Sequence, residues 1–498
     1  MNEPKKNIRI LVLDSGGGYG GPGAFLCYLL KYLDRTKFQP FAAFYFHHMA
    51  PETAALQRIG IPVFFLSQRQ ELANWLQVKF LPGKSKWRWL HLSKEALRFV
   101  LGLLLIEIPQ LSRLLRFLRQ KRIDLILLNN DVHFHPVGAL AARITGIPCI
   151  CRKAGGIGEG KRLKKILTGW IDLFIAISGA TAKDQLESNS ATKRLVSIYE
   201  GIDLEKFTVF SCHPETRSAL GIPLEAKVVG YISRLVAGKG HKEFIEAAAR
   251  IKERYRDVVF LIVGEDKADK ESTLMTELRT KVSKLGLADS VIFTGWRTDI
   301  PEMLSILDVF VHCPTTWIEG LGIAHLEAMA MGRPTVVSDN GGLREAAVDG
   351  VTGFVVPPGD IAELSAAVLK LLVNAELALQ LGNNARKRAE EIFNAAENTR
   401  KLEAIFEEYA SRHPKCEENQ GRLESGNKQR VVRDDLTSRR RASTLRTILS
   451  LPFSRLSERF ATPLRRICKY RTTDANLDCV PAPRVRTSSC PSGLPEIH

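Results

Sequence analysis

Along most of the chain, short apolar runs alternate with stretches whose apolar positions recur every three to four residues. In the first half, β-rich runs predict strands over Ile8–Leu13, Phe41–Phe46, Val63–Leu66, Leu125–Leu128, Pro148–Cys151 and Leu173–Ile177. Helical periodicity lies between them, over Ala24–Leu33, Pro51–Ile59, Ser93–Gln120, Val137–Ile144 and Thr181–Glu187. After a junction near residues 203–225 the alternation begins again. Strands are predicted over Lys227–Tyr231, Val258–Val263, Val291–Phe293, Val309–His312, Thr335–Ser338 and Gly353–Val355. Helices are predicted around Lys242–Glu253, Thr273–Lys284, Ile300–Ser305, Gly322–Met331, Leu343–Val348 and Ile361–Asn374, with a last one over Ala375–Tyr409. Repeated strand–helix–strand order at this spacing predicts an α/β fold with parallel, doubly wound sheets. Two rounds of it predict two Rossmann-like domains facing a cleft, over 1–203 and 204–395, with a closing helix at 396–410.

Beyond that helix the pattern stops. Residues 411–498 are rich in Arg, Ser, Thr and Pro and read as a basic, disordered tail, with one amphipathic stretch near Thr444–Tyr470. The chain of 498 residues carries a net charge of +17. Segments 79–122 and 411–498 each contribute about +9 of it, so the basicity describes a surface and not the fold. Nine cysteines without a CxxC pair argue against a disulfide framework or a Cys-based zinc site. The polar start has no signal-peptide character. The longest apolar run, Phe99–Ile106, is interrupted by Glu107 and Pro109, far short of the ~20 residues needed to span a bilayer. A cytoplasmic location is expected.

Three loops carry candidate chemistry. The first, Ser15–Gly23, follows the first strand and precedes a helix, and Gly16, Gly18 and Gly21 satisfy GxGxxG. Glycines let backbone approach a phosphate closely at a helix N-terminus. A dinucleotide site also wants an acid after the second strand, which instead ends Phe46-His47-His48. A turn serving another ligand, or packing alone, fits better. The second loop, Ser233–Gly240, sets Arg234 and Lys239 around a glycine turn before a helix, a fork and a point charge suited to a diphosphate. The third runs from His312 to Pro334. It places Glu319 before a helix and Glu327 within it, with Gly320 and Gly322 at the helix start. A pyrophosphate fits there, with a carboxylate on either side to accept sugar hydroxyls.

Together these motifs resemble the family-four glycosyltransferases, a retaining, nucleotide-sugar-dependent group with the two-Rossmann GT-B fold. The Glu-x7-Glu spacing of Glu319 and Glu327 matches that family's signature. So do Gly341-Gly342-x-x-Glu345, Asp349-Gly350-x-x-Gly353 and Pro357-Pro358-Gly359-Asp360. Upstream, Gly230-Tyr231-x-x-Arg234, Lys239-Gly240, Val263-Gly264-Glu265 and Phe293-x-Gly295 follow in the family's order. The resemblance is strong over about 195–395 and looser over 8–195. It implies that Arg234 and Lys239 neutralise the donor diphosphate, and that the loop Gly320, Gly322 and Ile323 supplies backbone N–H groups. It also implies that Glu327 holds the ribose and Glu319 contacts the donor sugar. Trp296 and Arg297 would border the nucleobase, simple packing being the alternative for Trp296. Gly18 joins the donor-binding set through its glycine turn.

The resemblance further implies retention, the acceptor hydroxyl attacking the face from which the diphosphate departs. No Asp-x-Asp motif is present and Arg and Lys can carry the counter-charge, so no metal or other cofactor is expected. Many family members place a histidine after the fifth strand. Here that run is Cys149–Gly156, without one. Either Arg152 or Lys153 takes the role, or it falls to His133 or His135 after the preceding strand. Glu319, His135 and Lys153 are the catalytic candidates.

Residues 75–122 combine Trp75, Trp87 and Trp89 with Arg113, Arg116 and Arg119 at helical spacing. This reads as a surface for peripheral contact with anionic membrane, on the inner face of the cell membrane, or as a core helix with a wet basic face. No nucleic-acid motif accompanies it, so nucleic acid is not an expected partner. The expected partners are a nucleotide-sugar donor and a glycan or glycolipid acceptor, in polysaccharide, lipopolysaccharide or glycolipid synthesis. The alternatives are an epimerase or phosphorylase on the same fold, or a non-catalytic nucleotide-sugar-binding protein.

Overall fold

The computed structural model describes residues 7–15, 20–46, 50–67, 101–155, 162–188, 191–209, 214–265 and 273–411. Gly18, the segment with Trp75, Trp87 and Trp89, and the tail from 412 onward lie outside the described residues.

Seven parallel strands form the first sheet: β1 (Ile8–Asp14), β2 (Phe38–Phe46), β3 (Val63–Ser67), β4 (Leu125–Asn129), β5 (Cys149–Lys153), β6 (Leu173–Ala176) and β7 (Leu195–Ser197). Their order is β3-β2-β1-β4-β5-β6-β7. Six more form the second: β8 (Lys227–Ile232), β9 (Val258–Val263), β10 (Val291–Gly295), β11 (Val309–His312), β12 (Thr335–Ser338) and β13 (Gly353–Val356). Their order, β10-β9-β8-β11-β12-β13, repeats the arrangement of the first sheet. The fold is α/β with two Rossmann-like halves of GT-B type.

The strands are apolar on both faces because helices cover both. In β1, Ile10 and Val12 belong to one core and Leu11 and Leu13 to the opposite one. Both sheets reverse their strand order at the first strand, between β1 and β4 and between β8 and β11. Loops leaving the carboxyl ends of strands at such a switch point line a crevice suited to ligands.

The expected helix over 375–409 is two helices, Ala375–Ile392 and Ala395–Ser411. The break has a physical cause. Phe393 is buried in the second half's core, and the next residues pair with the inter-domain segment. Ile202 N–H donates to the Phe393 carbonyl (2.6 Å) and Ala395 N–H to the Ile202 carbonyl (3.1 Å). The chain crosses back here. The helix Ala395–Ser411 then packs on the first sheet, burying Leu402, Phe406 and Tyr409, with Phe406 edge-on to Phe38 at 6.2 Å. The described part of the basic segment is a π-turn, Leu103–Glu107, running into the helix Ile108–Gln120. That helix buries Leu114, Phe117 and Leu118 against the first sheet and leaves Arg113, Arg116 and Arg119 outward. Among the described residues no single helix is long and apolar enough to cross a membrane.

Candidate functional site

The two halves meet at the carboxyl ends of their sheets. Ser178, after β6, donates its hydroxyl to the Gly320 carbonyl across the cleft (2.6 Å). A Cβ on Gly320 would overlap the Ala154 carbonyl oxygen, so only glycine permits this approach. The helices Gly21–Tyr32 and Ile323–Ala330 bring their N-termini together, a Cβ on Gly21 lying 3.2 Å from Ile323 Cγ1. Among the described residues neither N-terminus has a capping side chain, and neither has an acidic residue in its first turn. Two helix N-termini facing one space favour an anion there.

The loop after β8 supplies cations. It is pressed against the segment after β11, with the Thr315 and Trp317 N–H groups donating to the Gly238 carbonyl (2.9 and 3.1 Å). Gly240 (φ +92°) has no room for a Cβ, which would strike the Cys313 carbonyl. This contact sets Arg234 and Lys239 over the Trp317 indole, 5.9 and 4.9 Å from its centroid. Arg234 is exposed, whereas Lys239 is buried and paired with Glu319.

Glu319 is the centre of the group. Its N–H donates to Asn340 Oδ1 (3.1 Å), and its carbonyl accepts from Gly342 N–H (2.9 Å). Its Oε1 accepts from Lys239 Nζ and lies 3.1 Å from His312 Nε2. Burial alone would raise the carboxyl, but the ammonium and imidazole beside it hold it well below the usual carboxylate range. Burial pushes Lys239 down, with Glu319 opposing the shift. Glu327, half-buried on the helix Ile323–Ala330, has no such counter-ion among the described residues. Desolvation pushes its carboxyl up to about 7, against a weaker pull from Lys206.

Gly320, Gly322, Ile323, Glu319, Lys239 and Arg234 thus form one group with two helix N-termini. Trp296 and Arg297 follow β10, the edge strand two places from β8. Arg297 is forked on Asp299, Nε to Oδ1 at 2.8 Å, so its charge is answered locally.

Three of the first-half candidates, His135, Lys153 and Arg152, are buried. His135 does not line the cleft. Its ring is fully buried, hydrogen-bonded to the Asn129 carbonyl (3.0 Å) and packed on Tyr45, and burial pushes it down to about 4. Lys153 is not free to face a sugar either, being buried between Asp131 Oδ2 (2.7 Å) and Asp184 Oδ2 (2.9 Å). Arg152 is buried against Glu200 and donates to Asn129 Oδ1 (3.0 Å). His133 alone keeps surface, 28% of its side chain, with Nδ1 held 2.9 Å from Asp131 Oδ1.

Comparison with known proteins decides the family. Residues 19–206 match Glycosyltransferase Family 4, and residues 213–388 match Glycosyl transferases group 1. The chain belongs to glycosyltransferase family four. A relative of this family-four enzyme is the Escherichia coli UDP-Gal:alpha-D-GlcNAc-diphosphoundecaprenol alpha-1,3-galactosyltransferase, 27% identical over 61% of this chain and 80% of that one. Another is the lipopolysaccharide core biosynthesis mannosyltransferase LpsB of Rhizobium meliloti, 29% identical over 48% and 68%. The fold matches the crystal structure of Anabaena HepE in complex with UDP and glucose, with a TM-score of 0.65 and 23% identity over 80% of this chain and all of that one. The enzyme uses a nucleotide-sugar donor, as its family does.

Three residues of this candidate site, His312, Trp317 and Asn340, have no role in the motifs named above. Only His312 leaves a local trace, as a polar residue ending the otherwise apolar strand Val309–His312.

Proposed function

We propose that this enzyme moves a hexose from a nucleoside-diphosphate sugar to an acceptor hydroxyl with retention of anomeric configuration. The supporting observation is the grouping of Arg234, Lys239 and two uncapped helix N-termini at one cleft. In the reaction the sugar C1–O bond to the diphosphate breaks and a new C1–O bond to the acceptor forms. The departing phosphate takes the acceptor's proton. Fixed cations and backbone dipoles stabilise the charge that develops on the leaving group. Arg234 and Lys239 supply that charge without a divalent metal. Glu327 accepts the ribose hydroxyls and Glu319 a hydroxyl of the sugar.

The acceptor is a lipid-linked glycan or glycolipid, made at the inner face of the cell membrane. The two relatives act on such molecules by name. The exposed Arg116, Arg119, Lys121 and Arg122 favour anionic lipid headgroups. Incubation with the donor sugar, a lipid-linked acceptor and EDTA, followed by proton NMR of the product linkage, tests this reading. An α-donor should give an α-product at undiminished rate in EDTA. An inverted product, or loss of turnover in EDTA, would overturn it.

A further inference from the structure

Both side-chain hydrogen bonds of Glu319 end on the same oxygen. Lys239 Nζ and His312 Nε2 converge on Oε1, and Oε2 accepts none among the described residues. The Glu319 side chain keeps 10% of its surface exposed. We propose that His312 is a positioning residue for transfer, locking the Glu319 carboxylate so that Oε2 is the oxygen offered to the donor sugar. The role of Oε2 rests on the nucleotide-sugar reading above; the His312–Glu319 bond does not.

His312 has little freedom. It ends β11, is buried, and has ring contacts with Tyr231 (centroids 5.7 Å, 25° between planes) and with Phe310 of its own strand (6.3 Å, 16°). A buried ring with aromatic neighbours on its own and the adjacent strand has little room to follow a moving carboxylate, so the carboxylate conforms to the ring. Lys239 alone would not achieve this, because an ammonium on four rotatable bonds bonds well from many directions. Two donors from different elements, one of them rigid, leave a single orientation.

The tautomer follows from the same geometry. An ionised carboxylate only accepts, so Nε2 carries the hydrogen. Nδ1 is buried and has no partner among the described residues. A second N–H there would be left unsatisfied in the interior. The described geometry thus fits a hydrogen on Nε2 and none on Nδ1. Glu319 stays the counter-ion of Lys239. Arg234, exposed and without an ion pair among the described residues, adds its charge to that of Lys239 toward the diphosphate.

Two variants separate positioning from packing. His312→Phe keeps the stacked ring and deletes the donor. His312→Gln restores an N–H near the Nε2 position. Turnover of the nucleotide sugar by His312→Phe should fall by about 10- to 100-fold. Affinity for the bare nucleoside diphosphate, which lacks the sugar, should change by less than about threefold. His312→Gln should recover most of the turnover. A His312→Phe enzyme within twofold of wild type, or a folded His312→Gln no better than His312→Phe, would overturn the proposal.

The full-length wild-type chain labelled with 15N-imidazole gives a check that needs no substrate. The His312 signals should show Nε2–H with bare Nδ1, and should shift in Glu319→Gln. A proton on Nδ1 with bare Nε2 would overturn the proposal. If no nucleotide sugar binds while the spectrum shows Nε2–H bonded to Glu319, the functional reading falls and the Oε2 assignment with it, but the bond stands.

Discussion

The Glu345 carboxylate caps a helix that belongs to the other half of the molecule. Its Oε2 accepts the Gly179 N–H (2.7 Å) and its Oε1 the Ala180 N–H (2.8 Å), at the start of the helix Gly179–Ser188. Tyr199 adds its hydroxyl to Oε2 at 3.2 Å. The segment carrying Glu345 also supports the site, since Gly342 N–H holds the Glu319 carbonyl. The bond between the halves and the geometry of Glu319 are thus mechanically linked.

Removing that carboxylate should loosen the cleft. Glu345→Ala deprives a helix start of its cap, a loss of about 1 kcal/mol in denaturant unfolding. The ligand-free protein should also show a larger radius of gyration by small-angle scattering. An unchanged scattering profile would mean that other contacts alone set the closure.

Glu327 should give donor binding a pH dependence. Its carboxyl is raised by burial to about 7, so the ionised form is the one folding disfavours. Its effect on stability therefore improves as pH falls from about 7 toward the unfolded carboxylate range. Donor binding runs the other way, because ribose hydroxyls donate to the ionised form. Affinity should drop about tenfold per pH unit below about 7. Calorimetry of Glu327→Gln should show weaker binding that no longer varies over that window.

The Lys239–Glu319 pair should show strong coupling. Lys239→Met leaves a buried carboxylate with its ammonium partner gone, which costs about 3–5 kcal/mol. Combining it with Glu319→Gln removes the stranded charge and should recover most of that stability. Chemical denaturation of the two single variants and the double variant measures the coupling.

The helix Ala395–Ser411 should be part of the first half's core. Phe406 is fully buried against Phe38, and Phe406→Ala should cost about 3–5 kcal/mol. Ending the chain at residue 411 keeps Phe406 and Tyr409 and should leave the melting temperature unchanged, whereas ending it at 394 should unfold the first half.

How legible all this was depended on range. β9, β11 and β12 fall where their apolar runs predict them, because a strand buried on both faces writes its burial into contiguous Val, Ile and Phe. β7, three half-exposed or exposed residues, leaves no such run and went unseen. The site divides the same way. Arg234, Lys239, Glu319 and the glycines sit in short loops with a local pattern, and the structure brings them together. His135 after β4 and Lys153 at the end of β5 look equivalent by position. What buries them is remote, Tyr45 for the first and Asp184 for the second, and no local pattern reveals a partner 30 or 90 residues away. The break at Phe393 is another long-range effect, since its cause is Ile202.

The proposed donor site is built on the cations Arg234 and Lys239. Calorimetric titration of the full chain with UDP-, GDP- and ADP-sugars in EDTA, beside Arg234→Ala, tests it most directly. One nucleotide class should bind without metal, and Arg234→Ala should weaken it by about 1.5–3 kcal/mol, the value of a hydrogen bond to a charged group. A folded wild-type protein that binds none of them, or binds only when a divalent cation is restored, would contradict it, as would an Arg234→Ala variant of unchanged affinity.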